Sequence, residues 1–179
     1  MIESGYLKRL EILSKGQSAS LRRSAGKSLR EADARALGVF YASVGRDIKP
    51  QTPQWQEDMY FAVGCLYCMW RPEERKNPKP FAECVFDLGQ NDGLDARFRA
   101  LLDTDWHETD FLSVKLYRLT RRIKAEGGFP DFKSLLKDLM NWNCSKKHAQ
   151  LKWARQYFQQ KEMDEDAREV EQETDEENK

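Results

Sequence analysis

Apolar runs in this sequence, such as Met59 to Trp70, stop well short of the roughly 20 residues that a helix needs to cross a bilayer, so no membrane partner is expected. The opening residues Met-Ile-Glu-Ser-Gly-Tyr-Leu-Lys-Arg lack the basic start, apolar stretch and small-residue cleavage site of a secretory signal, which predicts a cytoplasmic location. Histidine is scarce, with 2 residues, and the 4 cysteines are Cys65, Cys68, Cys84 and Cys144. With no sign of export, and a chain of 179 residues that can build a core without staples, reduced thiols are expected. Glycine-rich phosphate loops, a His-Glu-x-x-His pair and a nucleophile elbow are all missing. The chemistry those motifs supply has no support here, and a chain without catalysis or cofactor is predicted. Strand-like alternation and internal repeats are missing too, which leaves an all-α fold.

Net charge is the last absence, at 30 basic against 30 acidic side chains, and it would argue against a polyanionic partner if charge were spread evenly. It is not. Residues 162–179 carry 10 acids and 2 bases, a net of −8, so residues 1–161 carry 28 bases and 20 acids, a net of +8. Within that body, residues 1–30 hold 7 bases and 2 acids, residues 31–110 hold 9 and 15, and residues 111–161 hold 12 and 3. Clustered positive charge attracts polyanions by counterion release and needs no base-specific contact.

Tyr6, Leu10 and Leu13 recur at helical spacing before Gly16, predicting a first helix over 3–15. Ser18 or Ser20 then predicts the cap of a short helix that carries Arg22 and Arg23 on its start. Leu37, Phe40, Tyr41 and Val44 share a face of a helix over 33–44. Pro50 and Pro53 precede a buried helix over about 54–70, and the proline-containing stretch 71–80 reads as a loop before a helix over 81–88. Gly89 to Gly93 marks the expected boundary between two helical bundles, 1–90 and 91–161.

Beyond it, Leu94, Phe98, Leu101 and Leu102 form an apolar stripe with Arg97 and Arg99 beside it. A helix over 106–126 places Leu112, Leu116, Leu119 and Ile123 on one face and Lys115, Arg118 and Arg122 together on a neighbouring one. Asp131 is expected to cap a helix burying Leu135, Leu136, Leu139 and Trp142. Ser145 is expected to cap a last helix with Lys146 and Lys147 in its first turn, Leu151, Ala154 and Phe158 inward, and Lys152 and Arg155 beside them. Residues 162–179 have little to bury and much like charge, which predicts a disordered acidic tail.

Cys65 and Cys68 have the Cys-x-x-Cys spacing of redox dithiols and zinc knuckles. They lie inside an apolar helix, however, with Cys84 and Cys144 far apart in sequence, so packing is the expected role and no bound metal is expected. His107 among Asp103, Asp105, Glu108 and Asp110 reads as a helix start, where acids complement the dipole. The basic positions read differently. They are unbalanced by acids on their own helices, and many are arginine, whose planar fork suits phosphate.

The segment Gly16 to Gly26 with Leu21-Arg22-Arg23, the stretch Leu94-Asp-Ala-Arg-Phe-Arg-Ala-Leu-Leu-Asp103, the run Leu116-Tyr-Arg-Leu-Thr-Arg-Arg-Ile123 and the segment Phe129 to Trp142 together resemble the CasB family. That family is the small subunit of the type I-E CRISPR surveillance complex called Cascade. The resemblance covers most of the body and rests on order and spacing rather than on any single motif. It implies two helical bundles, two copies lying head to tail, and contact with the large and backbone subunits. It also implies a non-catalytic grip on guide RNA, target duplex and displaced DNA strand. Carried onto this chain, Arg22 and Arg23 match the arginines of the first bundle. Arg97, Arg99, Arg118, Arg121 and Arg122 match the basic positions of the second, and Lys146 and Lys147 match the start of the last helix. Two features depart from the family pattern: Pro78 to Leu88 lacks a Ser-Leu-Gly turn, and the acidic tail is extra. The tail's charge suggests that it shields the basic face from stray nucleic acid.

Two competing readings stand beside this one. The first is a helical protein-interaction scaffold without direct nucleic-acid contact, and the second is a thiol redox or zinc protein using Cys65 and Cys68.

Overall fold

Ser14, read in the sequence as part of one continuous first segment, instead separates two helices. In the computed structural model, which describes residues 5–89 and 91–163, α1 spans Gly5–Glu11 and α2 spans Lys15–Arg23. Ser14 Oγ accepts from the Gln17 amide at 3.3 Å while Gln17 Oε1 accepts from the Ser14 amide at 2.9 Å. This reciprocal capping box starts a helix even though the apolar spacing of Tyr6, Leu10 and Leu13 continues across it. As a consequence Gly16 lies inside α2 and does not end α1. Arg22 and Arg23 occupy the last turn of α2 and not its start, where the helix dipole favours cations.

The remaining helices are α3 (Ala34–Val44), α4 (Gln54–Tyr67), α5 (Phe81–Phe86), α6 (Asp92–Leu102), α7 (Thr109–Ala125), α8 (Phe132–Met140) and α9 (His148–Ala154). The last continues through a π turn at Arg155–Gln159 and is helical as far as Met163, the last described residue. Among the described residues there is no strand, and the all-α class read from the sequence holds. No helix among them is long and apolar enough to cross a membrane.

Every residue from Asp58 to Trp70 is buried, so α4 has little polar face because it has almost no solvent side. It packs against α2, α7 and α8. Tyr6 of α1 donates to the Tyr60 carbonyl at 3.0 Å, and Gly64 faces the same phenol so closely that a Cβ there would lie 1.9 Å from the Tyr6 oxygen.

The expected bundle boundary falls between α5 and α6; Gln90 lies outside the described residues, and Asn91 caps α6 by accepting from the Leu94 amide at 2.9 Å. Buried side chains from both sides of it form one continuous core. Trp70 Nε1 donates to the Gly128 carbonyl at 2.9 Å, and the Trp70 and Phe132 rings meet edge to face at 5.6 Å. The Lys79 amide donates to the Phe129 carbonyl, and the Asp131 amide donates to the Lys79 carbonyl.

The interior stripe of α7 and the cap of α8 follow the sequence reading: Leu112, Leu116, Leu119 and Ile123 are buried, and Asp131 accepts from the Lys133 and Ser134 amides. The last helix does not. It begins at His148, after Lys147 in a left-handed conformation with φ of 49°, so Ser145 is not its cap and Lys146 and Lys147 precede it. Leu151 is 63% exposed, while Ala149, Trp153 and Tyr157 are buried. Two buried carboxylates set that choice of face. Trp153 Nε1 donates to Asp138 Oδ2 at 2.8 Å, and the Tyr157 hydroxyl donates to Asp95 Oδ1 at 2.7 Å. Turning Leu151 inward would leave both carboxylates short of a donor. The helix takes in Glu162 and Met163, the first residues of the acidic segment; the rest of the expected tail lies outside the described residues.

Candidate nucleic-acid interface

Opposite its buried stripe, α7 presents a basic outer face. Arg118 and Arg121 are exposed, with no hydrogen bond or ion pair among the described residues. Both project outward because the turns they share also carry the core residues Leu116, Leu119 and Ile123. The two flanks of this ridge lead to the other arginine-bearing helices.

On one flank α7 meets α6 and the last helix. Lys115 Nζ donates to the Ala100 carbonyl at 2.9 Å and to Thr104 Oγ1 at 2.7 Å, so this lysine ties α7 to the end of α6. Arg99 lies 5.1 Å from the centre of the Phe158 ring, and Arg97 donates to the Gly93 carbonyl one turn earlier at 3.2 Å. Burial and then the Asp95 carboxylate push the Tyr157 phenol well above its ordinary pKa, and Arg99 and Arg122 both pull against that rise. Helices α6 and α7 pack against each other, and both arginines act electrostatically on the same buried phenol.

On the other flank Tyr117 lies against the loop that leaves α2. Gly26 there has φ of 82°, and a Cβ on it would lie 2.6 Å from Tyr117 Cδ1. Arg22 and Arg23 sit at the start of this loop and are exposed. Two turns beyond Tyr117 along α7, Lys124 pairs with Glu74 at 2.7 Å and lies 5.4 Å above the Trp70 ring.

The other expected positions do not join this arrangement. Lys146 and Lys147 are exposed in the turn before α9. The neighbouring Trp142 donates to the Thr104 carbonyl, in the connection between α6 and α7, at 3.0 Å. Lys152 is paired with Asp138 at 2.8 Å, and Arg155 is exposed in the π turn.

Sequence reasoning passed over Arg75 and Arg71. The proline-containing stretch 71–80 reads as a loop, yet Arg75 stacks on Tyr67 at 4.1 Å and donates to the Tyr67 hydroxyl and the Trp70 carbonyl. The spacing of four between Arg71 and Arg75 was the available signal.

Cys65 and Cys68 are buried in α4 and at its end, and burial pushes both thiols above their ordinary pKa; Cys84 is pushed up to about 12, again chiefly by burial. Thiols held protonated at neutral pH are poor nucleophiles and poor metal ligands. Among the described residues no three histidine, cysteine or carboxylate side chains come together to hold a metal ion. His107 stacks on Trp106 at 3.5 Å, and its backbone amide donates to Asp105 Oδ1 at 2.9 Å, as at a helix approach.

Comparison with known proteins gives a consistent result. A family model described as CRISPR-associated protein Cse2 matches residues 17–158. A CRISPR-associated protein Cse2 from Thermus thermophilus is 28% identical over 106 residues, a match that spans 59% of each chain. The crystal structure of M. ruber CasB aligns with a TM-score of 0.72 at 20% identity, covering 93% of this chain and 98% of that one. CasB from Thermus thermophilus aligns at 0.66 and 24%, covering 86% and 93%. A chain of a CRISPR RNA-guided surveillance complex aligns at 0.64 and 23%, covering 86% and 89%. At these identities the structural matches establish a shared fold.

Proposed function

Because the chain belongs to the CRISPR-associated Cse2 family, we propose that it is a non-catalytic subunit of a cytoplasmic CRISPR RNA-guided surveillance complex. In that complex it clamps the sugar-phosphate backbone of guide, target or displaced strand. The observation that carries the reading is the outer face of α7, where Arg118 and Arg121 stand free of acid partners between the Arg22 and Arg23 loop and the Arg99 and Arg122 flank. Exchange of a DNA duplex for a guide–target duplex is nearly balanced in energy, so a few phosphate contacts to the strands can tip it forward. Such contacts position a strand without reading its sequence.

A second surface favours protein partners. Trp55 and Trp106 lie edge to face at 5.5 Å, both only half-buried, and Phe111 is 62% exposed. They belong to the acid-rich segment 31–110 and its edge, which repels polyanions, and large aromatics are the residues that dominate protein interfaces. The large subunit, the backbone subunits and a second copy of this chain are the partners to expect there. Taken alone, this surface supports the scaffold reading without nucleic-acid contact.

Binding of the purified chain to random single strands and duplexes across a salt series separates the two. A clamp on four to six phosphates gives a log-log salt slope of roughly −3 to −4 on single strands. Replacing Arg22, Arg23, Arg118 and Arg122 by alanine should remove most of that slope evenly across sequences. Absent or salt-insensitive binding would transfer the assignment to the scaffold.

A further inference from the structure

A cleft of about 550 Å³ opens between the α1–α2 pair and the turn after α4, within the roughly 300–1,000 Å³ range of sites that hold small ligands. We propose that this cleft takes in one unstacked nucleotide of the bound strand, with the base on an apolar floor and the phosphate on Arg22 and Arg75. The inference rests on the nucleic-acid reading above and adds to it a contact that depends on the base itself.

Leu10, Leu13 and Pro72 supply apolar floor, a surface that any base can cover with its face. Arg75 supplies the second observation. Its guanidinium is fixed in plane by the Tyr67 ring at 4.1 Å and donates to the Tyr67 hydroxyl at 3.2 Å and the Trp70 carbonyl at 3.0 Å. Its Nε, by contrast, is buried without an acceptor among the described residues. A buried donor left unmade is costly, and Arg75 lines the cleft, where a phosphate oxygen is the strongest acceptor its guanidinium could meet. Arg22 lines the same cleft from α2, and Cys68 forms part of its wall.

Carboxylates complete the match. Glu11 and Glu73 also line the cleft; among the described residues Glu73 is held only by an exposed contact to Arg71 at 4.0 Å, and Glu11 by the Tyr67 hydroxyl at 3.4 Å. Carboxylates accept from the exocyclic amine of a base such as cytosine. A simple phosphate clamp has no use for acids beside its arginines, whereas a nucleotide presents both an anion and an amine donor.

The test compares two strands of equal length and charge, about ten units each: oligodeoxycytidine, and an abasic deoxyribose-phosphate chain. The full-length chain should bind the base-bearing strand roughly tenfold more tightly. Ala19→Trp, which fills the cleft from a half-buried position on α2, should erase that preference and leave the salt slope unchanged. Ser18→Trp, half-buried beside it on α2 and also lining the cleft, serves the same purpose if Ala19→Trp fails to fold by circular dichroism. Equal, salt-dependent binding of the two strands by the unaltered chain would remove the cleft and leave the backbone clamp standing. A preference that survives the filled cleft would also overturn it. No salt-dependent binding of either strand would overturn both readings.

Discussion

Asp95 shows at the scale of one residue how charge is handled inside this helical body. It is 7% exposed and accepts from the Tyr157 hydroxyl and from Lys161 Nζ, each at 2.7 Å. Burial raises its pKa, but Lys161 and Tyr157 together outweigh burial, and the carboxyl titrates below its ordinary value. A carboxylate depressed in the folded state contributes stability that is complete above its unfolded pKa, about 3.9, and is lost as pH falls through the folded value. Asp95→Asn should therefore lower stability by about 2 kcal/mol at neutral pH, the scale of a hydrogen bond to a charged group. The deficit should shrink toward about pH 3. Urea unfolding at the two pH values checks this, and an equal deficit at both would mean that shape rather than charge is at stake. Little of this was legible in the sequence. Asp95 was no more than one residue of the stretch from Leu94 to Asp103, because its partner Tyr157 lies 62 residues further along.

At the scale of elements, α7 and α8 could be read directly, since their apolar periodicity and the Asp131 cap agree with each other. The first two helices could not, because the capping box at Ser14 and the apolar spacing of Tyr6, Leu10 and Leu13 gave opposite answers. The last helix could not either. Its inward face is chosen by Asp138 and Asp95, carboxylates on other helices, and hydrophobic spacing alone pointed to Leu151. The junction of the α2 loop with α7 makes a sharper test. Gly26→Ala would place a Cβ against the Tyr117 ring at a backbone angle that side chains rarely adopt, and should cost about 1–3 kcal/mol. In a Tyr117→Ala background the steric part of that cost should disappear, and a thermal double-mutant cycle measures the difference.

For the whole molecule, the uneven distribution of charge was fully legible, since it needs only counting, but the packing of α6 against α7 and the place of Lys146 and Lys147 in the turn before α9 were not. Both depend on which helices share the core. That core is continuous: α4 from the first half packs against α7 and α8 of the second. Unfolding followed by far-ultraviolet circular dichroism and by tryptophan fluorescence should therefore give one coincident transition, because Trp55 and Trp70 report the first half and Trp142 and Trp153 the second. Two separated transitions would make 1–90 and 91–161 independent folding units. A shared α4 also decides which molecule bends. The arginines at the two flanks of α7 are mounted on a single interior, so they cannot slide to meet a strand. A polynucleotide must instead take up the curve they trace, and the loss of conformational freedom on association falls on the nucleic acid rather than on the protein.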